Sequence, residues 1–125
     1  MTTAVFIAGF GALGCLARYC LSGWVYEWLG RDFAYGTFAV NIIGAFFIGL
    51  LMEISLRSTL LSQDLRIGLT VGFMGGLTTF STFSYETFKM LEEGQFLTAF
   101  FNVLASVAVC LLLTWLGILA ARQIT

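Results

Sequence analysis

Histidine and proline do not occur in these 125 residues, and only 10% of them are charged. The missing histidine removes the commonest general base and transition-metal ligand. Without proline, an interruption of a helix has to come from glycine or from Ser/Thr. The scarcity of charge is the most decisive absence, because a soluble domain carries about 25% charged residues. With 59% hydrophobic residues and a mean hydropathy of +0.95, the composition is that of an integral membrane protein. Net charge is −1, which offers no basic surface for nucleic acid and no polybasic lipid patch. The three cysteines, Cys15, Cys20 and Cys110, lie in apolar sequence at no metal or redox spacing and read as small packing residues. The first apolar stretch has no basic leader and no small-residue cleavage site, so it reads as a spanning helix rather than a signal peptide.

Charges and turn residues divide the chain into four apolar segments, at about 3–27, 36–55, 65–91 and 95–121. Each reaches the roughly 20 residues that a membrane-crossing helix needs. The connections are short, which predicts a single all-α transmembrane domain over 1–125 with no soluble module. Four crossings put both termini and the second connection on one side, with Arg57, Arg66 and Arg122. The other side holds Arg31 and Lys89, with Arg18 if it snorkels that way. This near balance gives almost no positive-inside bias, which allows insertion both ways and with it an antiparallel homodimer; a single orientation set by weaker cues is the alternative. Glycines in the first two spans (Gly9, Gly11, Gly14, Gly36, Gly44, Gly49) read as sites of close helix packing.

The richest stretch is GFMGGLTTFSTFSYE, Gly72 to Glu86. Unsatisfied polar groups in hydrocarbon cost several kcal/mol each, so a run this polar at membrane depth must be buried in protein or line a cavity. The glycines predict a break near 75–78. Backbone carbonyls freed there suit a hard cation such as Na⁺, and the second half-helix would begin with a partly positive N-terminus. Phe80 and Phe83 lie one turn apart among hydroxyls. Their positive ring edges offer weak potential to a partly dehydrated anion, while Ser81, Thr82 and Ser84 supply donors; plain packing is the alternative for the rings. Thr82 and Glu86 are four residues apart, within hydrogen-bonding reach. In the second span Thr37, Asn41, Gly44 and Ile48 share a face, and Asn41 is either an interhelical hydrogen-bond partner or a pore-lining donor. In the fourth span Thr98, Asn102, Ser106, Cys110 and Thr114 recur every four residues. Such a ladder is either interhelical glue or the wall of a hydrated path. Arg18 is either a snorkelling anchor or a vestibule cation.

At these residues the sequence resembles the Fluc/CrcB family of fluoride channels. The elements carrying the resemblance are GALGCLARY near the N-terminus, GTFAVNIIGAF in the second span and GFMGGLTTFSTFSYE in the third. The resemblance implies an antiparallel, dual-topology homodimer with two fluoride pores and a central structural Na⁺ held by the backbone carbonyls of Gly75 and Thr78. It implies fluoride-facing phenyl edges at Phe80 and Phe83 and a donor at Asn41. Ser81, Thr82, Ser84, Glu86 and Thr114 would form the polar track, with Asn102 and Ser106 as the fourth span's contribution and Arg18 near the vestibule. The implied role is passive export of fluoride from the cytoplasm across the cell inner membrane.

Two other classes stay open at this point. A proton-coupled small multidrug transporter is also short and four-spanning, but it calls for an embedded glutamate in the first span, and no acid precedes Glu27. A non-transporting assembly subunit would use the polar stripes only as glue. An enzyme is not expected, because the hydroxyls have no histidine or lysine placed as a base.

Overall fold

A proline-free apolar chain can satisfy its backbone in hydrocarbon by winding into helices, and the computed structural model, which describes residues 1–125, contains helices and no strands. Helix α1 (Thr2–Leu29) ends at Gly30, whose φ of 86° turns the chain out of the helix. Helix α2 (Tyr35–Arg57) follows, then a short α3 (Gln63–Ile67) capped by Ser62, whose hydroxyl accepts the Leu65 N–H. A π-helical segment (Gly68–Met74) runs on into a single turn, α4 (Gly75–Leu77). After two extended residues comes α5 (Phe80–Glu92), and beyond Gly94, with φ 78°, comes α6 (Phe96–Ile124).

Three of these helices, α1, α2 and α6, are long and apolar enough to cross a membrane by themselves. The third expected segment, 65–91, is divided: it is helical to Leu77, extended at Thr78 (φ −93°, ψ 159°) and Thr79 (φ −151°, ψ 120°), and helical again from Phe80. Two details differ from the sequence reading. The interruption falls on the two threonines, whereas Gly75 stays helical at φ −62°, ψ −37°. Seven residues before it are wound as wider π turns, a form common at functional sites that hydropathy cannot register.

The glycines are used for packing. A Cβ added at Gly49 would lie 2.3 Å from the Thr114 carbonyl oxygen, and one at Gly117 would lie 2.1 Å from that of Phe46, so α2 and α6 touch backbone to backbone. On α1, Gly14 faces the Phe73 carbonyl in the same way, at 2.2 Å. Within the central segment, a Cβ added at Gly76 would lie 2.7 Å from the Gly11 carbonyl oxygen, so this glycine too is a contact rather than a breaker. Gly9 has open space around it and packs on nothing within the protomer. The buried core is correspondingly small, centred on Val40, Met74 and Leu77 with a second cluster of Ala34, Met90 and Ala99. Most large apolar side chains face outward, as lipid as solvent allows; Trp24 and Trp28 near the end of α1 suit the membrane interface.

Candidate functional site

The two extended residues are held by a neighbouring helix. Asn41 of α2 accepts the Thr79 N–H at Oδ1 (2.8 Å) and donates from Nδ2 to the Thr79 carbonyl (3.1 Å). In an unbroken helix the Thr79 N–H would bond to the Gly75 carbonyl. Likewise, the Thr82 N–H would bond to Thr78, but here it is donated to Thr79 Oγ1 at 3.1 Å, which caps α5. The carbonyls of Gly75 and Thr78 therefore both lose their i+4 partners. Thr78 is itself anchored by its hydroxyl to the Met74 carbonyl (2.9 Å), and its methyl group lies against Gly44, where a Cβ would come within 2.1 Å.

Beside this break lies an open groove of about 460 Å³. Asn41, Gly44, Ala45 and Ile48 of α2 form one wall, Ser106, Cys110 and Thr114 of α6 another, and Gly75, Thr78, Thr79, Phe80 and Phe83 the third. The Phe80 and Phe83 ring centroids are 5.5 Å apart with planes tilted by 46°. The two rings differ in setting: Phe83 is buried and Phe80 is 78% exposed on the protomer. A second cavity, of about 340 Å³, lies between α1, α2 and the start of α5 and is lined by Arg18, Ser22, Thr37, Thr79 and Thr82 among others. Thr79 borders both spaces.

The residues singled out from sequence thus separate into groups. Asn41, Gly75, Thr78, Phe80, Phe83, Ser106 and Thr114 come together around the groove, whereas Arg18 and Thr82 sit on the second cavity with Thr37. Ser81 Oγ lies 3.3 Å from Thr79 Oγ1. Ser84 turns back on its own helix to the Phe80 carbonyl at 2.9 Å. Glu86 does not bond Thr82, whose hydroxyl oxygen accepts from Thr79 Oγ1 (3.0 Å); it accepts instead from the Tyr26 hydroxyl at 3.0 Å, and its Oε1 is buried without a partner. The α6 ladder does not act as one stripe. Thr114 donates to the Ala45 carbonyl (3.0 Å) and ties α6 to α2, while Asn102, 1% exposed, donates to Thr87 Oγ1 at 2.8 Å.

Three participants escaped the sequence reading: Tyr26, Thr79 and Thr87. Thr79 carried a usable signal, since a threonine immediately before a helix and three residues ahead of Thr82 is a cap pattern. Tyr26 and Thr87 carried none, because their partners are 60 and 15 residues away in sequence. Chemically, the site offers hydroxyl and amide donors, two phenyl rings and released carbonyls in one apolar groove, with Arg18 on the far side of the break.

Comparison with known proteins agrees on one family. Residues 5–118 match the family described as CrcB-like protein, Camphor Resistance (CrcB). Proteins named "Fluoride-specific ion channel FluC" from Geotalea daltonii and Trichlorobacter lovleyi are each 72% identical over 124 residues, covering 99% of this chain and 100% and 99% of theirs. The protein of that name from Geobacter metallireducens is 69% identical over 124 residues. These names describe channels, a class without enzymatic activity. With matches spanning almost its whole length, the chain belongs to the CrcB-like family.

Proposed function

We propose that this chain forms a fluoride-selective channel of the cell inner membrane, working as an antiparallel, dual-topology homodimer that lets cytoplasmic fluoride leave passively. The observation that carries the reading is the break at Thr78–Thr79, opening onto a groove that joins paired phenyl rings to hydroxyl and amide donors. In this reading α3 to α5 together make the third crossing of each protomer, a broken helix whose irregular backbone lines a cavity. The names of the relatives support fluoride as the ion.

A small halide loses its water shell on entering such a groove, and the site must replace it without binding too tightly. Ring edges of Phe80 and Phe83 carry weak positive potential, and hydroxyls and the Asn41 amide donate hydrogen bonds. Asn41 Nδ2 has two hydrogens, of which one goes to Thr79, so the other remains for the ion. The N-terminal end of α5 adds a partial positive charge. Arg18, in the second cavity, raises the local anion concentration without sitting in the groove. Ser81, Thr82, Ser84, Glu86, Asn102, Ser106 and Thr114 complete the proposed route or its walls.

Two released carbonyls, from Gly75 and Thr78, are hard oxygen donors of the kind Na⁺ prefers, and they fit the structural Na⁺ that the reading assigns to the dimer axis. Bound there, the ion would supply fixed positive charge and tie the two subunits. The near-equal distribution of cationic residues supports dual insertion. An open groove whose apolar walls carry released carbonyls and hydroxyl and amide donors needs a cover in lipid, which a second copy provides. Efflux from liposomes carrying the purified protein, read with a fluoride electrode and compared with chloride, tests the function. Fluoride flux well above chloride flux is expected; equal passage of both anions overturns it.

A further inference from the structure

Helix α5 carries both phenyl rings but is only 13 residues long and begins at a break, so nothing in a continuous helix upstream sets its rotation about its own axis. Beyond the Asn41 pair that holds its N-cap Thr79, two side-chain ties reach it from neighbouring helices. On one flank Tyr26 of α1 donates to Glu86 Oε2 at 3.0 Å. On the other, buried Asn102 of α6 donates to Thr87 Oγ1 at 2.8 Å, and Thr87 in turn donates to the Phe83 carbonyl at 2.7 Å. Glu86 and Thr87 are consecutive and so point about 100° apart around the helix. Phe83 lies three residues before one and four before the other, which places its ring on the face between the two ties.

We propose that Tyr26 and Asn102 are positioning residues that pin the roll of α5, through Glu86 and Thr87, and so hold the Phe83 ring in the groove. This rests on the fluoride-channel reading for its functional consequence. A roll of a helix of this radius by a few tens of degrees moves a ring at its surface by more than an ångström, enough to replace an edge by a face. Asn102 then contributes to the ion path by fixing a ring rather than by touching the ion. The same geometry gives Tyr26, outside both cavities, a role in ion selectivity.

The test uses the full-length protein in liposomes with Thr87→Val, Thr87→Ser, Tyr26→Phe and the double variant Tyr26→Phe/Thr87→Val. Valine keeps the shape of threonine and removes the hydroxyl; serine keeps the hydroxyl. Thr87→Val and Tyr26→Phe are each expected to lower fluoride flux about fivefold, the scale of one lost hydrogen bond, and to lower the fluoride-to-chloride ratio. Thr87→Ser stays within about twofold of the parent, and the double variant falls further than either single one. Amide hydrogen exchange over 80–92, measured on the same samples, should quicken in the valine and phenylalanine variants and not in the serine variant. Flux that falls only in step with the amount of folded protein, at an unchanged ion ratio, would reduce the ties to structural glue and overturn the proposal. Unchanged exchange in all variants overturns it as well, whatever the flux. A parent protein that passes no fluoride defeats the channel reading alone, and the exchange comparison then decides the pinning by itself.

Discussion

The carboxamide of Asn41 and the backbone of Thr79 form a closed pair, with 2.8 Å from the Thr79 N–H to Oδ1 and 3.1 Å from Nδ2 to the Thr79 carbonyl. One side chain thereby replaces the helical partners of both polar groups of an extended residue. Because this withdraws the Thr79 N–H from Gly75, the same pair leaves the Gly75 carbonyl free.

Asn41→Leu leaves both Thr79 groups without a partner in apolar surroundings. It is expected to destabilise the protein by about 2 kcal/mol and to abolish most fluoride flux. Asn41→Asp should be equally damaging, because an ionised carboxylate cannot donate to the Thr79 carbonyl. Thermal unfolding in detergent alongside liposome efflux checks both, and wild-type behaviour of the aspartate variant would show that the donated bond is dispensable.

Phe80 and Phe83 separate stability from conduction. Phe80 is 78% exposed and Phe83 9%, so Phe80→Ile should change protomer stability by less than about 0.5 kcal/mol and Phe83→Ile by less than about 1.5 kcal/mol. Both are expected to cut fluoride flux about tenfold, equivalent to about 1.4 kcal/mol, because the ring edge is lost while bulk is kept. Efflux at parental rates from both variants would count against ring-edge contact with the ion.

The α2–α6 contact is a backbone contact. Gly49→Ala and Gly117→Ala drive a methyl into the Thr114 and Phe46 carbonyls and should each cost about 1–3 kcal/mol. Gly9→Ala, with nothing within 4 Å in the protomer, leaves monomer packing untouched. Comparing the melting temperatures of the three variants checks the contrast.

Orientation should respond to charge. Asp32→Lys with Glu93→Lys loads one side of the membrane, and Ser58→Lys with Gln63→Lys loads the other. Each pair alone is expected to insert in one orientation and to lose fluoride flux; expressing both chains together restores it. Full activity from either chain alone would defeat the antiparallel dimer.

Much of this architecture was readable in the chain. The expected segments 3–27, 36–55 and 95–121 correspond to α1, α2 and α6 within about three residues at each end. The place where the third segment is interrupted was less legible: glycine was the expected breaker at 75–78, yet Gly75 and Gly76 remain helical and the extended residues are Thr78 and Thr79. Glycine allows a break but does not demand one, and what holds this one open is a side chain from another helix. From sequence the four-residue ladder of α6 was either interhelical glue or the wall of a path, and only the structure shows Thr114 bonded to the Ala45 carbonyl and Asn102 to Thr87.

By itself the sequence determined that this is a chain of long apolar helices with one polar interruption. That follows from composition and local periodicity, because the cost of a polar group in hydrocarbon is borne residue by residue. Only the tertiary structure decided which polar groups are spent on one another and which stay free. Asn41 finds Thr79 across 38 residues and Tyr26 finds Glu86 across 60. A hydrogen-bond donor is the same in sequence whether it faces a neighbouring helix or an open groove, and only the packing of helices distant along the chain settles the difference.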